Sequence, residues 1–430
     1  MAHHDLTAAR RRMKSAGSTR ARPPVGGQIL RAFRARGFWR IWTGSMIWYS
    51  ARWMDLFVLQ WQVLILTDSA FQVTLIGFYR MAPMFLLGLF TGVVADRFDR
   101  RRVLLAVQLW NAGVSAALGL LILAGRLAPW HLAVCVTALG LSWAVDLPTR
   151  RSHIYDMVGP RRVVNAMALD HVGMDGAKIL GPVLGGLLWP VIGAGGCLLL
   201  LTAGYLVNFF LYFGLSPTTP TQTAPSGPVL RNLTEGLAYV FRSPVILGVL
   251  AVTMVMNLMG FPYQNMVPVI ARQVLELGPQ LAGLLLAADG LGAFVGSLLV
   301  ASRRAVHRRG RLFALGSFLM IGAVFLFSFS RWYPLSCLLL FCAGIGTACF
   351  ATMQGSLVLT TASDAMRGRA MGALMLAIGF GPIGALQIGA LATGLGASLA
   401  VSVSTGTGIA LLAVIVWKAT ALRRVRTGMG

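Results

Sequence analysis

The chain has 430 residues, of which 57% are apolar and only 12% are charged. So low a charged fraction is atypical of soluble domains and predicts a membrane protein. The 37 Lys and Arg against 13 Asp and Glu give a net charge of +24, which would also suit a nucleic-acid-binding protein. The placement of the basic residues along the chain therefore has to decide between these two classes.

Twelve apolar segments recur along the whole length, and each is long enough to cross about 30 Å of hydrocarbon as a helix. They cover residues 41–66, 72–95, 103–125, 128–147, 166–190, 194–214, 244–268, 280–301, 311–330, 333–359, 370–393 and 395–418. The sequence therefore predicts an all-α polytopic membrane protein with twelve transmembrane helices.

The basic residues are distributed very unevenly between the two sets of loops that connect these segments. Only Arg126, Arg272 and Arg331 fall in loops on the side opposite to the chain ends. By the positive-inside rule, this asymmetry places both termini in the cytoplasm. The charge is thus explained by orientation and by contact with anionic lipid of the bilayer, and we expect no nucleic-acid partner.

The two chain ends are interpreted as tails. Residues 1–40 are polar and basic without an apolar core, which indicates a disordered cytoplasmic tail and not a cleaved signal, and 419–430 form a second tail. The five Cys lie in apolar segments without metal-ligand spacing, and the six His are scattered. We therefore expect no metal and no cofactor. The loops are too short for a catalytic or receptor domain.

A short basic loop at 92–102 follows the second apolar segment. Its residues fit the pattern Gly-x-x-x-Asp-Arg-x-Gly-Arg-Arg at Gly92, Asp96, Arg97, Arg100 and Arg101. This loop resembles the one between the second and third spans of the major facilitator superfamily, with Asp99 where Gly is usual. The resemblance implies a cytoplasmic gate, in which an acid caps a helix N-terminus and arginines pair with carboxylates. An ordinary basic cytoplasmic loop is the alternative.

The middle of the chain suggests two matched halves. A Pro- and Thr-rich stretch begins at residue 216, so we predict six-helix bundles at 41–215 and 244–418 joined by a cytoplasmic linker at 216–243. The segment 77–102 aligns weakly with 283–308, and Gly181-Pro182 recurs as Gly381-Pro382. Paired halves around a central site are what an alternating-access transporter requires.

The fifth predicted span carries a pattern of small residues. It consists of Ala168, Ala177, Gly181, Pro182, Gly185 and Gly186. Small residues at these intervals let helices approach closely, and Pro182 bends the helix. The pattern resembles that of drug antiporters in the superfamily, with Ala at two Gly positions, and so implies proton-driven export. Helix packing alone is the alternative.

At the level of subfamily, residues 38–417 resemble the exporters related to the enterobactin efflux protein and the macrolide efflux pumps. The resemblance rests on residues 39–42, 66–70, 80–83, 95–101, 148–150, 181–182, 235–240 and 367–369. It implies a small-molecule exporter in the inner membrane of a bacterium. One departure is that Arg52 stands where this family often has an acid, with Asp55 three residues later.

Charged residues inside the spans are the candidates for proton coupling and substrate binding, because a charge in hydrocarbon is costly. At the rise of an α-helix, Asp55, Arg80 and Asp289 lie at similar depths, about 12 to 16 Å from the outer end of their spans. Asp55 and Arg80 could therefore meet, and a structural pair with Arg80 or Arg52 is the alternative to a coupling role for Asp55. For Asp289 the alternative is a charge neutralised by a proton or a partner.

Two further candidates are Asp175 and Lys178, one turn apart in the fifth span, for which we favour a fixed ion pair. Trp53 is a candidate for lining the cavity. It belongs to an aromatic set with Trp48, Trp61, Phe261 and Tyr263. Such a set is more often packing than a ligand site.

Together these features predict a proton-coupled exporter that works as a monomer by alternating access. A buried acid can carry the proton, since burial favours its neutral form and a nearby Arg favours its carboxylate. A solute importer and a lysolipid transporter, which would share the fold, are the alternatives. The candidate charges nearly balance, so the sequence favours neither a cationic drug nor an anionic siderophore.

Overall fold

The computed structural model describes residues 30–35, 37–160, 162–217, 239–302, 308–363 and 366–420, with the backbone alone for 30–31 and 87–97. These residues form helices and no strands. After a 3₁₀ turn at Leu30–Arg34, the helices are α1 (Phe38–Thr67), α2 (Ala70–Arg97), α3 (Arg100–Leu123), α4 (Pro129–Val158), α5 (Val163–Phe213), α6 (Pro244–Val255), α7 (Tyr263–Gln273), α8 (Pro279–Ser302), α9 (Arg309–Phe327), α10 (Tyr333–Thr361), α11 (Arg367–Ile378), α12 (Gly381–Leu395) and α13 (Ala397–Lys418).

Nine helical segments in the described ranges are long and apolar enough to cross a membrane by length and composition. They include α6 and α7 joined by a π-helical turn at Met256–Gly260, and α11 joined to α12. The longest, α5, has 51 residues and breaks at Gly193, whose φ of 68° suits glycine. The two helical parts on either side of Gly193, 163–192 and 194–213, are each long enough to cross the bilayer core, so α5 provides two crossings. α1 and α2 are not among these nine segments, but with 30 and 28 residues they are long enough to cross, and counting them gives the predicted twelve crossings.

The crossings form two six-helix bundles. In the first, α5 packs along α1 and α3, and α2 packs along α4; in the second, α10 packs along α8 and α9. The bundles meet where α5 packs on α8 and where α2 packs on α12. These contacts pair the fifth crossing with the eighth and the second with the eleventh. The second and fifth crossings of the first bundle correspond to the eighth and eleventh of the second, so the two contacts are equivalent by symmetry. The fold is therefore pseudo-symmetric, as the sequence predicted.

The fourth helix continues past the predicted end of the fourth span. The sequence places this end at residue 147 and Arg150 in a loop, but α4 continues to Val158 and Arg150 is fully buried. Asp146 accepts hydrogen bonds from Arg150 Nε and Nη2 at 2.7 and 2.9 Å. The pair neutralises a charge that hydropathy alone assigns to a loop, so the helix continues past it.

The predicted disorder of the tail at 1–40 is wrong for its last part. Ala32 is buried against Phe38 and Tyr212, and Arg40 donates a hydrogen bond to the carbonyl of Gly214. This part of the chain is therefore packed on the end of α5. Residues 1–29, the linker residues 218–238 and the last residues 421–430 lie outside the described ranges, so the predictions for them stay predictions.

Small residues of α5 bring three helices together. A Cβ added at Gly181 would lie 2.4 Å from Cβ of Trp53 in α1, and one at Gly186 would lie 2.5 Å from the carbonyl oxygen of Pro279 in α8. Neither position has room for a larger residue. Of the remaining pattern residues, Ala177, Pro182 and Gly185 are buried and Ala168 is exposed. The small-residue pattern therefore has a packing role, and its implied role in proton-driven export stays a prediction.

We expect Gly181→Ala to lower the thermal unfolding temperature of the detergent-solubilised protein, because the added Cβ forces α1 and α5 apart at a cost of about 1–3 kcal/mol. Gly176→Ala in the same helix is the matched control, since a Cβ there meets nothing within 4 Å and Ala favours the helix by about 1 kcal/mol. Equal unfolding temperatures for the two variants would show that close approach at Gly181 is unimportant.

Candidate functional site

A cavity of about 380 Å³ lies between the two bundles. Its size is within the range of small-molecule binding sites. The polar and aromatic side chains among its lining residues are Tyr49, Arg52, Trp53, Gln60, Arg80, Trp143 and Lys178 from the first bundle and Asn257, Phe261, Gln264, Asn265 and Asp289 from the second. A central cavity built from both halves is the position at which transporters with repeated halves bind their substrates.

A buried ion pair joins α1 to α2 beside the cavity. Arg80 Nη1 and Nη2 each lie 2.5 Å from Asp55 Oδ1, and both side chains are 2% exposed. Arg80 also donates a hydrogen bond to the carbonyl oxygen of Arg52 at 3.0 Å. The structure thus brings together the two residues that the helical rise placed at similar depth, and it fixes both within the first bundle.

Arg52 holds its guanidinium against aromatic rings of the first bundle. Its Cζ lies 3.5 Å from the centroid of the Trp143 ring and 5.9 Å from that of Trp48. Among the described residues it forms no salt bridge. An indole face can stabilise a desolvated cation by about 2 kcal/mol, which explains how Arg52 is held at the cavity without a carboxylate.

The fixed ion pair predicted for Asp175 and Lys178 is wrong. Lys178 lines the cavity with Nζ 5.6 Å from the centroid of the Trp53 ring. Asp175 Oδ2 instead accepts a hydrogen bond of 3.3 Å from Ser297 Oγ in α8. The two residues share a helix turn, but neighbouring helices offer each a different partner, an indole face for the cation and a hydroxyl for the carboxylate.

Asp289 reaches the cavity from α8 of the second bundle. Its Oδ1 accepts a hydrogen bond of 2.7 Å from the Tyr263 hydroxyl, and Oδ2 accepts one of 3.5 Å from Gln264 Nε2. Both donors are neutral, and no cation in the described ranges lies within 4 Å of the carboxylate. The charge of Asp289 is therefore not fixed by an ion pair, unlike that of Asp55.

The aromatic candidates divide into two groups. Trp53 and Phe261 line the cavity, whereas Trp48, Trp61 and Tyr263 are buried in the bundles. Sequence reasoning missed the uncharged lining residues, because a search for charges inside spans does not find them. These residues are Tyr49, Gln60, Trp143, Asn257, Gln264 and Asn265. It also missed Asp146, although the spacing of four residues to Arg150 was a usable signal.

A polar network fills the first bundle between the cavity and the side of the chain ends. Besides its carboxylate partner, Arg150 contacts the hydroxyls of Ser45 at 2.9 Å and Tyr212 at 2.5 Å. The Tyr49 hydroxyl donates to the Asp170 carboxylate, with distances of 3.2 Å to Oδ1 and 3.0 Å to Oδ2. The network links α1, α4 and α5 into one unit.

Hydrogen bonds between described residues join the two bundles on the side opposite to the chain ends. Gln60 Nε2 donates to Asn265 Oδ1 at 2.7 Å, and Arg272 donates to the carbonyl oxygen of Leu64 at 2.6 Å. Arg272 also lies 3.6 Å from the carboxylate of Asp68. These contacts hold the two bundles together on that side in the present conformation.

The structure describes the predicted gate only in part. Its residues are Gly92, Asp96, Arg97, Arg100 and Arg101, and the side chains of the first three lie outside the described ranges. Arg100 pairs with Asp156 of α4, and Arg101 donates to the carbonyl of Phe213 at the end of α5. Asp99 caps α3 by accepting from the Arg101 N–H at 3.0 Å. The arginines thus join helices of the first bundle, and their role in gating stays a prediction.

Two bundles of six crossings around a shared cavity define a secondary transporter of the major facilitator type. The chain belongs to this superfamily, since residues 29–427 match the model of the family described as transmembrane secretion effector. The enterobactin exporter EntS of Shigella boydii serotype 18 is 27% identical over 316 residues, covering 72% of this chain and 74% of that protein. EntS of Escherichia coli O81 matches to the same extent, 27% over 316 residues.

Solved transporter structures share the fold at low sequence identity. A bacterial homolog of the human lysosomal transporter Spinster, in an inward-facing and unoccupied conformation, has a TM-score of 0.69 and 15% identity over 90% of this chain and 96% of that one. The nucleoside transporter NupG has a TM-score of 0.73 and 13% identity over 90% of this chain and 100% of that one. These likenesses support the twelve-helix fold. The family and these neighbours are transporters and not enzymes.

We expect Asp55→Asn or Arg80→Gln to lower the free energy of unfolding by about 3–5 kcal/mol, because each leaves one buried charge without its partner. The double variant should recover part of this loss. Denaturant or thermal unfolding in detergent measures both effects.

Asp68→Asn is the matched control for these variants, because the Asp68 side chain is 71% exposed and such a pair contributes about 0–1 kcal/mol. Single variants at Asp55 or Arg80 that were as stable as the control would contradict a structural role for the buried pair.

Proposed function

We propose that this protein exports a small molecule across the cytoplasmic membrane of a bacterium in exchange for protons, by alternating access to the central cavity. The observation that carries the proposal is Asp289, a carboxyl that lines the cavity and is held by neutral hydrogen-bond donors. The relatives named enterobactin exporters and the small-residue pattern of α5 support export. A siderophore-like metabolite or a drug is the proposed class of substrate.

The orientation follows from the charge distribution. The loops on the side of the chain ends carry most of the basic residues, so we assign that side to the cytoplasm. The contacts of Gln60 with Asn265 and of Arg272 with Leu64 then hold the two bundles together on the outer side.

The cavity combines the surfaces that a small organic molecule needs. Trp53, Trp143 and Phe261 offer aromatic faces, and Asn257 and Asn265 offer amide groups. Such a mixture of apolar walls and a few polar groups orients a ligand while burying most of its surface. Both halves of the cavity belong to one chain, so a monomer suffices for the transport cycle.

Proton coupling is assigned to Asp289. When the cavity opens outward, the carboxylate takes up a proton and no longer attracts Lys178 of the opposite bundle or a bound substrate. The bundles then rock to the inward-open state, where the proton leaves toward the cytoplasm and a new substrate binds. Asp55 does not take this role, because Arg80 holds it in an ion pair within one bundle.

We expect Asp289→Asn to reduce substrate accumulation in inverted membrane vesicles by about tenfold or more when a pH gradient, acid inside, is the driving force. The amide keeps the size of the side chain but cannot exchange a proton. Enterobactin and a macrolide serve as probes, after wild-type protein has shown which of them it transports. Exchange of labelled for unlabelled substrate without a gradient should persist.

Glu276→Gln is the matched control for this experiment, because it neutralises an exposed acid in the loop after α7. Undiminished gradient-driven accumulation by Asp289→Asn would remove Asp289 from the coupling role. Loss of exchange together with accumulation would indicate damage to the substrate site instead.

Alternating access is tested by fixing the outer contacts. In a background without the five native cysteines, Gln60→Cys with Asn265→Cys places two thiols where the amides lie 2.7 Å apart. A reducible bifunctional thiol reagent should then stop accumulation, and a reductant should restore it. Either cysteine alone is the control. Full activity of the cross-linked protein would show that the bundles need not separate on this side.

A further inference from the structure

We propose that Asp170 is a second proton-binding carboxyl, which exchanges protons with the cavity through the hydroxyl of Tyr49. Asp170 lies in α5 and is 1% exposed, so solvent does not reach it directly. The Tyr49 hydroxyl lies 3.0 Å and 3.2 Å from its two oxygens, and Tyr49 itself lines the cavity. Tyr49 is only 2% exposed, so its side chain lies between the buried carboxyl and the space that substrate and water enter.

The groups that face this pair leave the charge of Asp170 unfixed. On α4, the guanidinium of Arg150 donates its hydrogen bonds to the Asp146 carboxylate and to the hydroxyls of Ser45 and Tyr212. Arg151, also on α4, makes no salt bridge with Asp170, and its buried Nε has no partner in the described ranges. His171 follows Asp170 on the same helix. A neutral donor thus provides the direct hydrogen bonds to Asp170, while two cations compensate its charge from a distance.

The proposed step conserves every atom and charge. A hydronium ion in the cavity gives a proton to the Tyr49 oxygen while the hydroxyl hydrogen moves to Oδ2 of Asp170. The products are water, a neutral tyrosine and a neutral acid. The reverse step returns the proton to the cavity. A hydroxyl can act in this way because it is a donor and an acceptor at once.

The second bundle contains a related pair in a different arrangement. Tyr263 donates to Asp289, just as Tyr49 donates to Asp170. These tyrosines lie in the first crossing of each bundle, but Asp289 itself lines the cavity, whereas in the first bundle the tyrosine does. Each bundle therefore has one tyrosine–carboxyl pair of which one member lines the cavity, and two protons can be carried in each cycle. A role of Asp170 in the transport cycle rests on the proposed proton coupling, whereas the binding of a proton by Asp170 does not depend on it.

Infrared difference spectroscopy of the full-length protein in lipid nanodiscs tests the proposal without a substrate. After a shift from alkaline to acidic pH, the wild type should show a carbonyl band of a protonated carboxylic acid that Asp170→Asn removes. In Tyr49→Phe the band should change frequency, because its hydrogen bond is lost, and should appear about tenfold more slowly or worse after a pH jump. Asp175→Asn on the same helix should keep the Asp170 band.

Two results would overturn the proposal. One is an Asp170→Asn spectrum that keeps every acid band of the wild type. The other is a Tyr49→Phe protein in which the Asp170 band forms at the wild-type rate, which would show that the proton takes a different path. This second test does not depend on whether the Asp170→Asn protein folds. Failure of the proposed proton coupling gives a different result from failure of this proposal. It would appear as undiminished gradient-driven transport by Asp289→Asn, and the infrared bands of Asp170 would be unchanged.

Discussion

The cost of holding a charge in hydrocarbon governs where the charged side chains of this protein lie. Two pairs neutralise each other inside the first bundle, Asp55 with Arg80 and Asp146 with Arg150. The charges at the cavity that lack an ionic partner among the described residues are Arg52, Lys178 and Asp289. Aromatic rings stabilise the two cations, and neutral donors hold the acid. The cost of burying a charge thus divides the charged residues into two groups. The ion pairs hold the helices of the first bundle together, and the unpaired charges at the cavity can interact with a substrate or a proton.

The distribution of strong and weak contacts suits motion between rigid units. Inside the first bundle, ion pairs and hydroxyl contacts connect α1 to α2 and to α4. Between the bundles, Gly186 and Gly283 allow α5 and α8 to lie in backbone contact. The hydrogen bonds on the outer side are then the contacts that must break when the cavity changes its opening.

The resemblance to exporters extends over the architecture more than over the charges of the cavity. Arg52 occupies a position where the family often has an acid, and it stacks on Trp143. Lys178 adds a second cation from α5, and Asp289 opposes both from the other bundle. Protonation of Asp289 therefore changes the balance of charge across the cavity and the attraction between the bundles at the same time. This connection between proton uptake and the contact of the two bundles is the physical basis of the proposed coupling.

The sequence by itself determined the number of crossings and the depth of the charges, because segment length and helical rise report these directly. It predicted the meeting of Asp55 with Arg80 for that reason. It did not determine the direction in which a side chain leaves its helix, since that depends on the partners that neighbouring helices supply. Only the tertiary structure therefore separated Asp175 from Lys178, placed Arg150 within the fourth helix and placed the cavity between the two bundles.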